Sequence, residues 1–423
     1  MLQDRDGNAI STPSVAARDA YVQGVDAMLS TNLGVMEALR RAVAEDPGFV
    51  AGHVAMARAL QMAGKMGEAR ESLAAARAGL EGVTPRERSQ FGIYETLLAG
   101  DAMGALAKVR AHMAEWARDS MALAPATGVF GLIGFSGLAG RERAQLELLA
   151  PLAGAYGDDW WFLAALAFAE IEQGELAAGR LHVDRALELN PRHASGAHIS
   201  AHGHYEAGDV ADGMAFLRGW LPGYDPRAAL HSHLNWHVSL WAMERGEFGE
   251  AWRVWEEALR PGVCQGPGIN QVTDAASFLF RMGLAGEAVD GALWREVSEG
   301  AARLFPEPGV SFIDLHSALA AAMAGDGERL ARFSENVRGP AGDLVAVAGR
   351  GFGAFARGEW EGAVRELGVV LGGHERFGGS RAQRDLLSQA VAFGLMRLGR
   401  GEEAKGVLEE RRRLIGGGVP VVG

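Results

Sequence analysis

Cys264 is the only cysteine among 423 residues, so no internal disulfide and no thiolate metal site can form. That usage suits a reducing cytoplasm. Apolar runs are short. Even residues 121–138 are broken by Pro125 and several glycines, so no membrane span is expected. The opening Met1-Leu2-Gln3-Asp4-Arg5-Asp6 lacks the apolar centre of a secretion signal. Positive charge is in deficit, with a net charge of −12, which argues against nucleic-acid phosphates and anionic membrane surfaces as partners. Alternating β-branched runs are scarce, which removes strands as the main element.

Catalytic loops are missing too. No phosphate loop of the Gly-x-x-x-x-Gly-Lys-Ser/Thr type occurs, and Gly351-Phe352-Gly353 lies in helical context, not after a strand. Gly134-Phe135-Ser136-Gly137 does not have the spacing of a nucleophile elbow. Cys264 sits in a Gly/Pro loop and has no partner residues that mark a nucleophile.

What the chain does have is helical punctuation. Apolar residues recur at helical spacing and are interrupted by Gly-centred turns at Gly64, Gly174, Gly208, Gly246, Gly358 and Gly399. Five residues after each turn stands a small residue: Ala69, Gly179, Gly213, Ala251, Ala363 and Ala404. A small side chain there lets the second helix of a hairpin lie close to the first. Ala76, Ala186 and Ala258 repeat the device seven residues on, and Leu189-Asn190-Pro191 and Leu259-Arg260-Pro261 end two hairpins. This spacing resembles the tetratricopeptide repeat of about 34 residues, most clearly from Trp160 to Pro191. Extrapolation gives roughly ten to twelve hairpins. The expectation is an all-α superhelix of tetratricopeptide-like helix hairpins, one array over residues 1–415 with a flexible tail at 416–423. Such an array presents a concave groove, which tight curvature would turn into a nearly closed ring.

Histidine is uncommon, 12 in the chain, yet it clusters. His198 and His202 are four apart, as are His233 and His237, and residues four apart share a helix face. With each turn Gly as position fifteen, His198 and His202 take positions five and nine, and His233 and His237 take two and six. In the repeat register these face the groove or border it, so adjacent hairpins should bring the pairs together. Asn235 and Trp236 lie between the second pair. His204 points off the first face, His231 precedes the second helix, and His182 and His193 are expected at the surface.

Four uses of the cluster stay open. The histidines could bind a divalent transition metal such as zinc, with His316 or Asp274 completing the shell. They could do acid–base catalysis, with Asp314 or Asp385 fixing a tautomer. They could line a pocket for a small polar molecule or a peptide. They could simply hold helices in register. In Ser380-x-x-Gln383-Arg384-Asp385, Ser380 and Gln383 form a capping-box pattern, and Arg384 is a candidate clamp for a carboxylate or phosphate. Arg411-Arg412-Arg413 closes the last helix and suits its C-terminal dipole.

Several of these segments resemble the tetratricopeptide repeat protein 38 family. They are Ser11-Thr12-Pro13-Ser14, Asp46-Pro47-Gly48-Phe49 with His53, the His198/His202 helix before Gly208, and His233-Leu234-Asn235-Trp236-His237. Asp274-Ala275, Asp314-Leu315-His316 and Gly378-Gly379-Ser380-Arg381-Ala382-Gln383-Arg384-Asp385 complete the set. The resemblance spans nearly the whole chain, and the last segment is its most specific part. The family pattern has His where this chain has Arg381. The resemblance implies a cytosolic helical-repeat fold and little about activity. The favoured expectation is a His-rich concave pocket for a small polar molecule or peptide; an enzyme using the same pocket is the alternative, and an inert scaffold the third.

Overall fold

The computed structural model describes residues 1–335 and 337–414, and the expected tail at 416–423 lies outside the described residues. The described chain is all-α, built of successive helix hairpins, with one two-stranded ribbon pairing Leu2–Gln3 antiparallel to Ala9–Ile10. The turns form where glycine permits them. Gly64, Gly174, Gly208, Gly246, Gly358 and Gly399 all sit at positive φ, between 71° and 95°. That left-handed backbone ends a helix at little cost only for residues without Cβ. The small residues after the turns are contact points. A Cβ on Gly213 would stand 2.6 Å from Cζ2 of Trp241, so the bare backbone is what admits the indole.

The chain forms two compact units. The first takes Met1–Ile133, Ala144–Ala169 and His182–Gly196. Its hairpins include Val15–Leu29 with Val35–Glu45, Val50–Met62 with Met66–Ala78, and Pro85–Leu98 with Ala102–Glu115. Thr84 caps the Pro85–Leu98 helix in a capping box with Glu87. The N-terminal ribbon is held by charge. Arg5 pairs with Asp6, Asp26 and Asp159, and Arg86 pairs with Asp4 and Asp119. In the Asp46-Pro47-Gly48-Phe49 turn, Thr12 donates to Asp46 and His53 Nε2 meets the Pro47 carbonyl at 2.9 Å. His193, expected at the surface, is fully buried, its ring edge-on to Trp160 at 4.6 Å. Trp160 lies on another helix, well upstream in sequence, so nothing local to His193 signals that burial. His182 is part-exposed.

The second unit takes Gly134–Arg143, Glu170–Leu181 and the chain from Ala197 on. Four helices matter for its site: Ala194–Ala207, which belongs to it from Ala197 on, His231–Glu244, Gly268–Leu284 and Arg381–Arg397. Gly268–Leu284 packs against His231–Glu244, Ser311–Ala324 and Arg381–Arg397. Segments far apart in sequence meet here. The Tyr205 hydroxyl donates to Asp385 at 2.9 Å, and an Arg281 nitrogen donates to the Ala382 carbonyl at 2.7 Å. The Phe248–Val254 helix widens into a π-helical turn at Trp255–Leu259 before the Pro261 exit.

Candidate metal centre

His198 and His202 stand one turn apart on Ala194–Ala207, and His233 and His237 stand one turn apart on His231–Glu244. The two faces meet. One nitrogen from each of the four rings lies within 4.8 Å of the others. His202 Nε2 is 3.0 Å from His198 Nε2. Ring centroids are 4.6 Å apart for His198–His202, 4.8 Å for His198–His233 and 4.7 Å for His202–His237. Two ligands of a tetrahedral ion at ~2.0–2.1 Å are ~3.3 Å apart, so the cluster needs little movement to enclose one. Neither ring nitrogen of His237 has a hydrogen-bond partner, although the residue is fully buried. Buried polar atoms normally find partners, so this ring is short of one.

The electrostatics favour neutral rings. Burial, then the charges of His202 and His233, hold His198 well below the ordinary histidine value. Burial and His233 take His202 down to about 3. Burial first, then the other three histidines and Arg281, do the same to His237. A neutral imidazole is the form that binds a metal.

A carboxylate orients one of the rings, and a second carboxyl group lies near another. His233 Nδ1 donates to Asp274 Oδ2 at 2.9 Å, which leaves Nε2 for the cluster, and Asn270 Nδ2 donates to the same oxygen at 3.2 Å. Glu172 Oε1 lies 3.8 Å from His202 Nδ1. Burial, then the neighbouring Glu142 and Glu206, push Glu172 up to about 8, and its Oε2 accepts the Arg381 backbone N–H at 2.9 Å. Trp236 stacks on His233 with centroids 5.1 Å apart.

Other expected site residues fall elsewhere. Asn235 turns off the cluster and donates to the His231 carbonyl at 2.9 Å, because it lies on the far face of its helix from His233 and His237. Asp314 orients no imidazole; its Oδ2 accepts the Gly309 backbone N–H at 3.0 Å, and burial lifts it to about 7. His316 Nδ1 donates to the Phe312 carbonyl of its own helix at 2.8 Å, so its Nε2 keeps the lone pair, and burial takes the ring down to about 4. It is not among the four clustered rings. Arg384 is no free clamp: it donates to the Gly379 carbonyl at 2.7 Å and pairs with Glu142. Asp385 holds Tyr205 and Arg411 and hydrogen-bonds no histidine. Gln383 caps its helix with Ser380 as expected. His204 is part-buried, 3.9 Å from Asp209, and His231 is part-exposed as the first residue of its helix. Burial raises the Cys264 thiol, which makes it a poorer nucleophile.

Sequence reasoning missed Glu172, Glu206 and Arg281. Each is a charged residue in a helix made mostly of apolar, small or uncharged residues, and that was the available signal. Burial, opposed by Arg411, pushes Glu206 up to about 7.

No family model matches the chain. No helix among the described residues is long and apolar enough to cross a membrane. The chain is similar in fold to solved structures of human IFIT1. The IFIT1 dimer with m7Gppp-AAAA aligns at 13% identity and TM-score 0.45, covering 98% of each chain. The dimer with PPP-AAAA aligns at 14% identity and TM-score 0.45, covering 98% of this chain and 97% of the other. The expectation of no nucleic-acid partner is not kept, since the aligned IFIT1 structures hold m7Gppp-AAAA and PPP-AAAA. A whole-chain charge of −12 does not set the sign of the field inside one groove.

Proposed function

We propose that this protein is a tetratricopeptide-like helical-repeat protein that binds one transition-metal ion, zinc foremost, through His198, His202, His233 and His237. The observation that carries the reading is the convergence of four ring nitrogens within 4.8 Å, with both nitrogens of buried His237 lacking a partner. All-imidazole ligation suits zinc, copper, nickel and iron. Asp274 on His233 supplies the carboxylate–histidine–metal arrangement that fixes a ligand's tautomer. The resemblance to the tetratricopeptide repeat protein 38 family, and a cytoplasmic setting, belong to the same proposal. His198, His202, His233, His237 and Asp274 all lie in the segments that carry that resemblance.

A second reading makes the cluster part of a pocket for a small polar molecule or peptide, with or without catalysis. The existing His202–His198 hydrogen bond favours it, because two neutral rings already partner each other without an ion. Metal analysis of untagged protein separates the two. The metal reading expects about one equivalent of bound metal, lost in His198→Ala and His237→Ala. Protein that stays metal-free after incubation with excess zinc and dialysis contradicts it.

A further inference from the structure

Arg281 presents a different problem from the histidines. It is 0% exposed, on the central Gly268–Leu284 helix of the second unit. No carboxylate of the described residues forms an ion pair with it. Its guanidinium donates to Ser277 and to the Ala382 carbonyl, and lies over the Trp236 ring at 5.5 Å. Its Nε–H has no partner. The two carboxylates whose charge reaches it are engaged elsewhere: Asp274 by His233 and Asn270, Asp385 by Tyr205 and Arg411. A buried guanidinium with only neutral partners is unusual, since burial of a charge is costly without an opposite one.

Two further donors nearby are unsatisfied in the same way. Trp236 Nε1–H, on the indole beneath Arg281, has no acceptor. Gln383 Nε2 has none either, and Gln383 follows the residue whose carbonyl holds Arg281. These donors sit on three different helices, and each has an N–H without an acceptor. The arginine fork is the group best shaped to receive a carboxylate or phosphate.

We infer that Arg281 is the anchor of an oxyanion-binding site in the second unit, taking the carboxylate or phosphate group of a small ligand, with Trp236 and Gln383 as flanking donors. The neighbouring imidazoles then see the rest of that ligand, since the Trp236 ring contacts both Arg281 and His233. The inference does not require a metal.

The test uses the full chain, dialysed into chloride buffer, stripped of metal with a chelator and studied by thermal unfolding. Inorganic phosphate and acetate are the probes, each against a chloride control of equal ionic strength. The expected result is a rise in Tm of ~3 °C or more with at least one probe at saturation. The probe that acts tells a phosphate site from a carboxylate site. Arg281→Met should fold, as judged by circular dichroism, be no less stable than the wild type in chloride, and lose the response. Removal of an unpaired buried charge predicts that stability. The inference is overturned if neither oxyanion shifts the wild type beyond chloride. It is equally overturned if Arg281→Met keeps the response, or if it unfolds at much lower temperature because the guanidinium is a structural tie. Metal content of the wild-type protein is read before the chelator is added, so the metal site and the oxyanion site fail separately.

Discussion

Asp274 Oδ2 lies 2.9 Å from Nδ1 of His233, and this one hydrogen bond decides which nitrogen of the ring faces the other three imidazoles. Both residues are almost fully buried, so water does not compete for the bond. The carboxylate also gives the ring electron density, which strengthens Nε2 as a ligand.

Replacing this carboxylate should therefore weaken the metal without unfolding the helices. Asp274→Asn keeps the shape and removes the charge. Competition titration against a chromophoric chelator should show metal affinity reduced about 10–100-fold. An unchanged affinity would show that His233 does not depend on Asp274.

Acid should destabilise the metal-free protein through its histidines. His202 has its folded value lowered from 6.5 to about 3. Between those values the unfolded chain binds the proton and the folded chain does not. The contribution is complete above pH 6.5 and is lost as pH falls towards 3. Chemical denaturation of apo protein at successive pH values, wild type against His202→Gln, should show the two converging in acid. Parallel curves would remove the burial argument.

Glu172 works in the opposite direction. Its folded value is raised from 4.5 to about 8, so the folded state binds the proton more tightly. That contribution is complete below pH 4.5 and is lost as pH rises through about 8. Glu172→Gln mimics the protonated form at every pH. Its stability relative to the wild type should increase from pH 5 to pH 8, read as the difference in Tm between apo proteins. A constant difference would mean that the carboxyl is ionised throughout.

The close hairpin contacts can be tested away from the site. Gly213→Ala places a methyl 2.6 Å from the Trp241 indole, which is itself 1% exposed and cannot retreat. Overpacking of this kind costs about 1–3 kcal/mol, measurable by denaturant unfolding. Gly219, on the same helix with nothing within 4 Å, should accept alanine with little loss.

The helical skeleton was legible because its determinants are local. A Gly at positive φ with a small residue five positions on marks a hairpin turn whatever the tertiary context, and all six such turns formed. The four-His convergence was legible for a related reason: i, i+4 spacing in two adjacent hairpins fixes a common face. The partners of the buried charges were not legible. Arg384 is spent on Glu142, 242 positions away, and Asp385 on Tyr205, 180 positions away. Such pairings depend on which helices meet, and no spacing along the chain encodes that. Asn235 was misplaced by treating the His233–His237 stretch as one site, although the middle residue of an i, i+4 pair faces the other way.

X-ray absorption at the zinc edge, on untagged zinc-loaded protein, tests the central claim most directly. The account predicts four nitrogen scatterers at ~2.0–2.1 Å with the outer-shell pattern of imidazoles. It also predicts that His198→Ala and His237→Ala each change that first shell. A shell dominated by carboxylate or water oxygens, or one that neither substitution alters, would contradict it.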